Sequence, residues 1–100
     1  MNVISKRGLT ELIAANKLDR DTCAELASWY RVARSAHWMR LAEVRTDFPS
    51  ADQVGNVLVF NIRHNRYRLI ARVTYAKQKL YLKVLLTHKE YDREEWKKWT

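Results

Sequence analysis

VLVFNIRHNRYRLIARVTY, residues Val57 to Tyr75, is the stretch whose reading decides the fold. Apolar and polar residues alternate through two runs, Val57 to Ile62 and Arg66 to Tyr75, a spacing that predicts two strands. The intervening Arg63-His64-Asn65 is short enough to close an antiparallel hairpin. Side chains alternate across a strand, so Tyr67, Leu69, Ala71 and Val73 point one way, and Arg66, Arg68, Ile70, Arg72 and Thr74 point the other. A second short link, Ala76-Lys77-Gln78-Lys79, leads to a third strand, Leu80 to Thr87. Its apolar set is Leu80, Leu82, Val84 and Leu86, and its mixed set is Tyr81, Lys83, Leu85 and Thr87. Such a meander has one dry face and one wet, basic face.

Upstream, the apolar spacing becomes helical. Met1 to Ser5 can add a further strand, and Ser5 can cap a helix carrying Leu9, Leu12, Ile13 and Asn16. After the polar break Lys17 to Arg20, Asp21 or Thr22 can cap a longer helix with the face Cys23, Leu26, Ala27, Tyr30, Ala33, His37, Leu41 and Val44. Thr46 to Asn56 reads as a loop, and Asp92 as the cap of a short terminal helix holding Trp96 and Trp99. The expected architecture is α+β: an N-terminal helical hairpin packed on a small antiparallel sheet, followed by a short C-terminal helix, in a single domain spanning residues 1–100.

With 100 residues and 47% hydrophobic content the chain can bury one core. Nineteen Lys and Arg against 11 Asp and Glu give a formal charge of +8, which favours polyanions, nucleic acid first among them. The charge is concentrated: Arg63, Arg66, Arg68, Arg72, Lys77, Lys79, Lys83 and Lys89 fall between Gln53 and Lys89, a stretch without Asp or Glu. A strand face with cations of one sign repels itself unless an anion is expected there. Tyr67, Tyr75, Tyr81 and Tyr91 are interleaved with these cations and could stack unpaired bases, although Tyr67 falls on the dry face. Cys23 is the single cysteine, which rules out an internal disulfide and reads as a small buried apolar residue. No apolar run approaches the roughly 20 residues of a membrane span, and MNVISKRGLTE does not resemble a signal peptide, so a cytoplasmic protein without a membrane partner is expected.

The side-chain inventory narrows the chemistry. His37, His64 and His88 do not occur at ligand spacing, and the basic half lacks carboxylates for Mg²⁺, so no metal or cofactor is expected. No Ser stands on a nucleophile turn. Metal-free RNA cleavage fits what remains: the 2′-hydroxyl attacks the adjacent phosphate, which calls for a base, an acid and cations to hold the added negative charge. His88 is the leading proton carrier, because histidine changes protonation near neutral pH. It shares strand parity with the dry-face residues Leu82, Val84 and Leu86, which argues against it unless the strand ends at Thr87 and turns His88 toward Tyr91. The same composition also suits a non-catalytic RNA- or ribosome-binding module, or a protein whose basic face binds an acidic partner.

The segments FPSADQV, VLVFNIRHNRYRLIARVTY and YLKVLLTHKEYD resemble the HigB-type toxins of bacterial type II toxin-antitoxin modules, within the RelE-like superfamily. The resemblance runs through most of the chain and is most specific between Phe48 and Asp92. It implies two N-terminal helices on a small sheet, cleavage of mRNA on the ribosome without a metal, and neutralisation by a cognate HigA-type helix-turn-helix antitoxin. It also implies a site on the open sheet face. Arg68 is expected to stabilise the phosphate and the transition state, His88 to act as acid or base, and Lys83 and Tyr91 to assist. Asn61, Arg63, His64, Asn65, Arg66, Arg72 and Lys89 are expected to contact RNA.

Overall fold

A computed structural model describes residues 1–5, 11, 14 and 17–100. The expected first helix, with Leu9, Leu12, Ile13 and Asn16, lies outside the described residues. The second begins where an acidic side chain can satisfy a free backbone donor: Asp19 accepts from the Thr22 N–H at 2.9 Å and starts α1, Arg20–Ser35. The cap is thus Asp19, not Asp21 or Thr22. Leu26, Trp29 and Ala33 recur on one side of α1 and are fully buried.

The continuous helix expected through Val44 is instead two. Ala36 is extended (φ −78°, ψ 155°), and a separate short helix, α2, spans Leu41–Asp47. An unbroken helix would place His37 on the packing face and rotate Trp38 away from it. The break does the reverse: His37 is exposed, while Trp38 is buried against Phe48 and Phe60, and its indole N–H donates to Asp47 Oδ2 at 2.8 Å. The larger apolar surface decides where the chain turns.

Five strands follow the order β1-β5-β4-β3-β2 in one sheet: β1 Asn2–Ile4, β2 Asp52–Val54, β3 Val57–Ile62, β4 Tyr67–Thr74 and β5 Lys79–Thr87. β1 runs parallel to β5, and the other pairs are antiparallel. β2 lies in the segment read as loop, and Gly55 at φ +58° closes its hairpin with β3. A side chain at Gly55 would also meet the C-terminus, since a Cβ there would stand 2.9 Å from the Thr100 carbonyl oxygen. The fold is α+β, and no helix among the described residues is long and apolar enough to cross a membrane.

The helix-facing core contains Phe60, Ile62, Leu69, Ala71 and Leu80 of the sheet, with Trp29, Trp38 and Phe60 in ring contact. β5 departs from simple alternation. Ile70 pairs with Val84 but Ala71 pairs with Leu82, so Lys83 is an extra residue, a β-bulge. A one-residue offset sends every later side chain to the opposite face. Leu85 therefore joins the helix-side core, whereas Val84 and Leu86 join a second cluster with Val57, Val59, Ile70 and Trp96 on the other face. That other face is thus not wholly open. A short helix, α3 (His88–Asp92), and a 3-10 turn (Glu95–Trp99) cover part of it.

The segment holding Trp96 and Trp99, expected as a helix capped by Asp92, is the 3-10 turn, whose N-cap position is Glu94 with no side-chain cap. Asp92 instead ends α3, which Thr87 starts. The Thr87 hydroxyl accepts from the Glu90 N–H at 3.2 Å, and its own N–H donates to Glu90 Oε1 at 3.0 Å, a reciprocal capping box. The hydrogen bond from the Thr87 backbone, then that with its side chain, holds the Glu90 carboxyl below its ordinary value. A depressed folded value means that the box stabilises α3 above the unfolded carboxyl's value of about 4.3 and loses this contribution as pH falls through the folded one. The Thr87 amide proton should shift with that titration in an NMR pH series, and Glu90→Gln should abolish the shift. An amide that ignores acid in the unaltered protein would contradict the capping role.

Candidate active site

The β3–β4 turn is unusual in placing two consecutive non-glycine residues in the left-handed region, Arg63 at φ 53° and His64 at φ 59°. Glu25 of α1 holds it there: its carboxylate accepts the Arg63 backbone N–H at 2.7 Å. Asp21 Oδ2 lies 4.0 Å from the Arg63 guanidinium. The Asp19 carboxyl is held below its ordinary value, by its hydrogen bonds with Thr22 first and then by the fields of Arg63 and Arg66. The carboxylate-free stretch of sequence thus acquires acidic neighbours from α1, and Arg63 is drawn toward them. Glu25→Ala should lower stability by about 1–3 kcal/mol, the cost of leaving that partly buried N–H unpaired. Urea unfolding measures it, and an unchanged midpoint would show that the turn holds itself.

On the opposite face the β3–β4 pairing sets Asn61 beside Arg68. Asn61 donates to the Asn65 side chain at 3.4 Å, and the Arg68 guanidinium donates to the Asn65 carbonyl at 2.9 Å. The centre of that guanidinium lies 5.2 Å from the centroid of the Tyr91 ring. Tyr91 in turn stacks on Trp96, with centroids 5.0 Å apart and planes 8° from parallel. The indole N–H of Trp96 donates to the Tyr91 carbonyl at 3.0 Å, and Trp96 is buried in the second core. Arg68, Tyr91 and Trp96 therefore form one stack. Tyr91 is already packed through its ring, so what it offers a ligand is its hydroxyl edge rather than a free platform.

His88 opens α3, and its backbone N–H donates to the Arg66 carbonyl at 3.2 Å, which ties the helix to the end of the β3–β4 hairpin. Its Nε2 lies 3.4 Å from Asp92 Oδ2, one helical turn on, and both side chains are about 60% exposed. The pleat argument against His88 no longer applies, because the Lys83 bulge reverses the parity beyond it. Asp92, read from sequence as a cap, is a partner for the imidazole. The signal was available: His88 and Asp92 are four residues apart on a helix.

The other expected residues are dispersed. Lys83 sits at the bulge, three residues along β5 from Leu86, the partner of Arg68, or about 10 Å at strand rise; its ammonium lies 6.0 Å from the Tyr81 ring centroid. It stands apart from the stack. Arg72 is exposed on the open face, His64 and Asn65 are exposed at the turn, and Lys89 is exposed on α3. Tyr75, expected among the stacking rings, instead donates its hydroxyl to Gln53 at 2.7 Å, and burial raises its hydroxyl's pKa. Among the described residues no carboxylate forms an ion pair with Arg68, Arg72, Lys83 or Lys89, and no group of three or more His, Cys, Asp and Glu side chains could hold a metal ion.

A half-buried arginine on a sheet face, free of any carboxylate partner among the described residues and packed on a tyrosine, has the chemistry to bind an anion, and a histidine opens the short helix that carries that tyrosine. Comparison with known proteins places the chain in a family. Residues 22–94 match the HigB_toxin family, described as the RelE-like toxic component of a toxin-antitoxin system. The mRNA interferase HigB of Escherichia coli O6:H1 is 31% identical, over 93% of this chain and 90% of that protein. The mRNA interferase toxin HigB of Escherichia coli strain K12 and the mRNA interferase HigB of Shigella flexneri are each 30% identical, over 92% of this chain and 88% of theirs. The chain belongs to the HigB toxin family.

Proposed function

We propose that this protein is an endoribonuclease toxin that cleaves mRNA on the ribosome by attack of the 2′-hydroxyl on the adjacent phosphate, and that a HigA-type helix-turn-helix antitoxin neutralises it. The observation that carries the reading is the unpaired Arg68 guanidinium, held against Tyr91 next to the helix that begins with His88. In the reaction an oxygen–phosphorus bond forms from the 2′-oxygen and the bond to the 5′-oxygen breaks. The 2′-hydroxyl gives up a proton and the leaving 5′-oxygen gains one. Arg68 stabilises the negative charge that builds on the phosphate. His88 serves as the acid or the base, with Asp92 orienting its ring. Tyr91 assists by fixing Arg68 and by presenting its hydroxyl. Lys83, Arg72 and Lys89 act on flanking phosphates, and Asn61, His64, Asn65 and Arg66 contact the RNA near the hairpin; Arg63 contributes less to RNA, being drawn to Asp21.

Induction in growing bacteria tests this function. Growth arrest with new 5′ ends in translated mRNAs is the expected result, relieved by co-expression of a helix-turn-helix protein encoded beside it. Salt-sensitive RNA binding without cleaved ends would instead favour a non-catalytic RNA-binding module.

A further inference from the structure

Next to the Arg68–Tyr91–Trp96 stack a cavity of about 210 Å³ opens between β5 and the C-terminal 3-10 turn. Val84 and Leu86 line one part of it and Trp96 and Trp99 another, with Glu90 and Glu95 supplying carboxylates. It adjoins the site directly, since Trp96 stacks on Tyr91 and Leu86 pairs with Arg68. Its volume lies below the roughly 300 Å³ at which sites for drug-sized ligands begin, and aliphatic and indole walls suit a single planar ring.

Two carboxylates, Glu90 and Glu95, set this lining apart from the rest of the basic face: they stand against Arg93 and Lys98, so the cavity is balanced in charge, and they accept N–H donors. Glu90 is committed through Oε1 to the Thr87 N–H. Glu95 forms no hydrogen bond or ion pair among the described residues, so its acceptors are free for a ligand. Arg93 and Lys98 also line the cavity and suit the phosphates on either side of an inserted base.

We propose that this cavity binds one unstacked nucleobase of the RNA substrate, and that Glu95 selects adenine, cytosine or guanine, which carry an exocyclic amino group, over uracil. The inference rests on the endoribonuclease reading given above. An exocyclic amino group donates to the carboxylate, whereas uracil offers only its N3–H, flanked on both sides by carbonyl oxygens that would face the carboxylate as acceptor against acceptor. Specificity then comes from the C-terminal segment, while the phosphate chemistry stays with Arg68 and His88.

The test is cleavage by the full chain on translating ribosomes, with messages varied one base at a time around the cut. The unaltered protein should disfavour uridine by about tenfold or more at one fixed position, the usual scale of a base contact, and Glu95→Gln, which offers both a donor and an acceptor, should reduce the difference to about twofold. Trp99→Ala should raise KM for every base at that position, because a wall is lost rather than a hydrogen bond. A preference unmoved by both substitutions, or no bias against uridine at any position, would overturn the subsite and leave the nuclease reading standing. No cleavage of any message would overturn both.

Discussion

His88→Gln should lower the rate of RNA cleavage by about 10²–10⁴-fold, the usual contribution of a positioned acid or base. Glutamine preserves much of the size of the side chain and can still reach Asp92 with an N–H, but it cannot carry a proton between the 2′-oxygen and the 5′-oxygen. The side chain is about 60% exposed and its only side-chain partner among the described residues is Asp92, so folding should hardly change. The loss should therefore appear in single-turnover cleavage and not in the melting temperature. Cleavage within a few-fold of the unaltered rate would remove His88 from the chemistry and reduce its contact with Asp92 to a local helix interaction.

Arg68→Ala should lower cleavage by about 10²–10³-fold, the range for loss of one preorganised charge stabiliser. Arg68→Lys should recover only part of this. Lysine keeps the charge, but not the planar fork that can bond two phosphate oxygens, nor the flat surface that lies against Tyr91. The guanidinium is held before substrate arrives, by Tyr91 on one side and by the Asn65 carbonyl at 2.9 Å. Single-turnover rates separate the two effects, since a residue that only bound RNA would change KM and leave the maximal rate alone. Full recovery by lysine would reduce Arg68 to a point charge and take away the role assigned to the stack.

Much of this arrangement is written locally in the sequence. The alternation from Val57 to Tyr75 gives both hairpin strands to within a residue or two, and it puts Asn61, Arg68 and Arg72 on one face because the pleat is regular there. The same rule fails at Lys83, where a single bulged residue reverses the sides of Val84, Leu85 and Leu86 and removes the objection to His88. Nothing local marks that bulge. Helical spacing from Ala33 through Val44 likewise concealed the break at Ala36, because burying Trp38 against Phe48 and Phe60 is a tertiary demand. β2 was legible in principle, from Gly55-Asn56 as a tight hairpin turn before Val57. The stack sets Arg68 of β4 against Tyr91 and Trp96 of the C-terminal segment, and spacing carries no record of that long-range contact.

On the proposal above, mRNA is cut at the sheet face through Arg68 and His88. Mapping 5′ ends of cellular mRNA after induction of the unaltered protein and of the Arg68→Ala/His88→Gln double variant, at equal levels of folded protein, tests it most directly. New ends within translated regions should accumulate with the unaltered protein and be absent with the double variant, which should melt at nearly the same temperature. Equal cutting by both proteins would contradict the site, and no cutting by either would contradict the function.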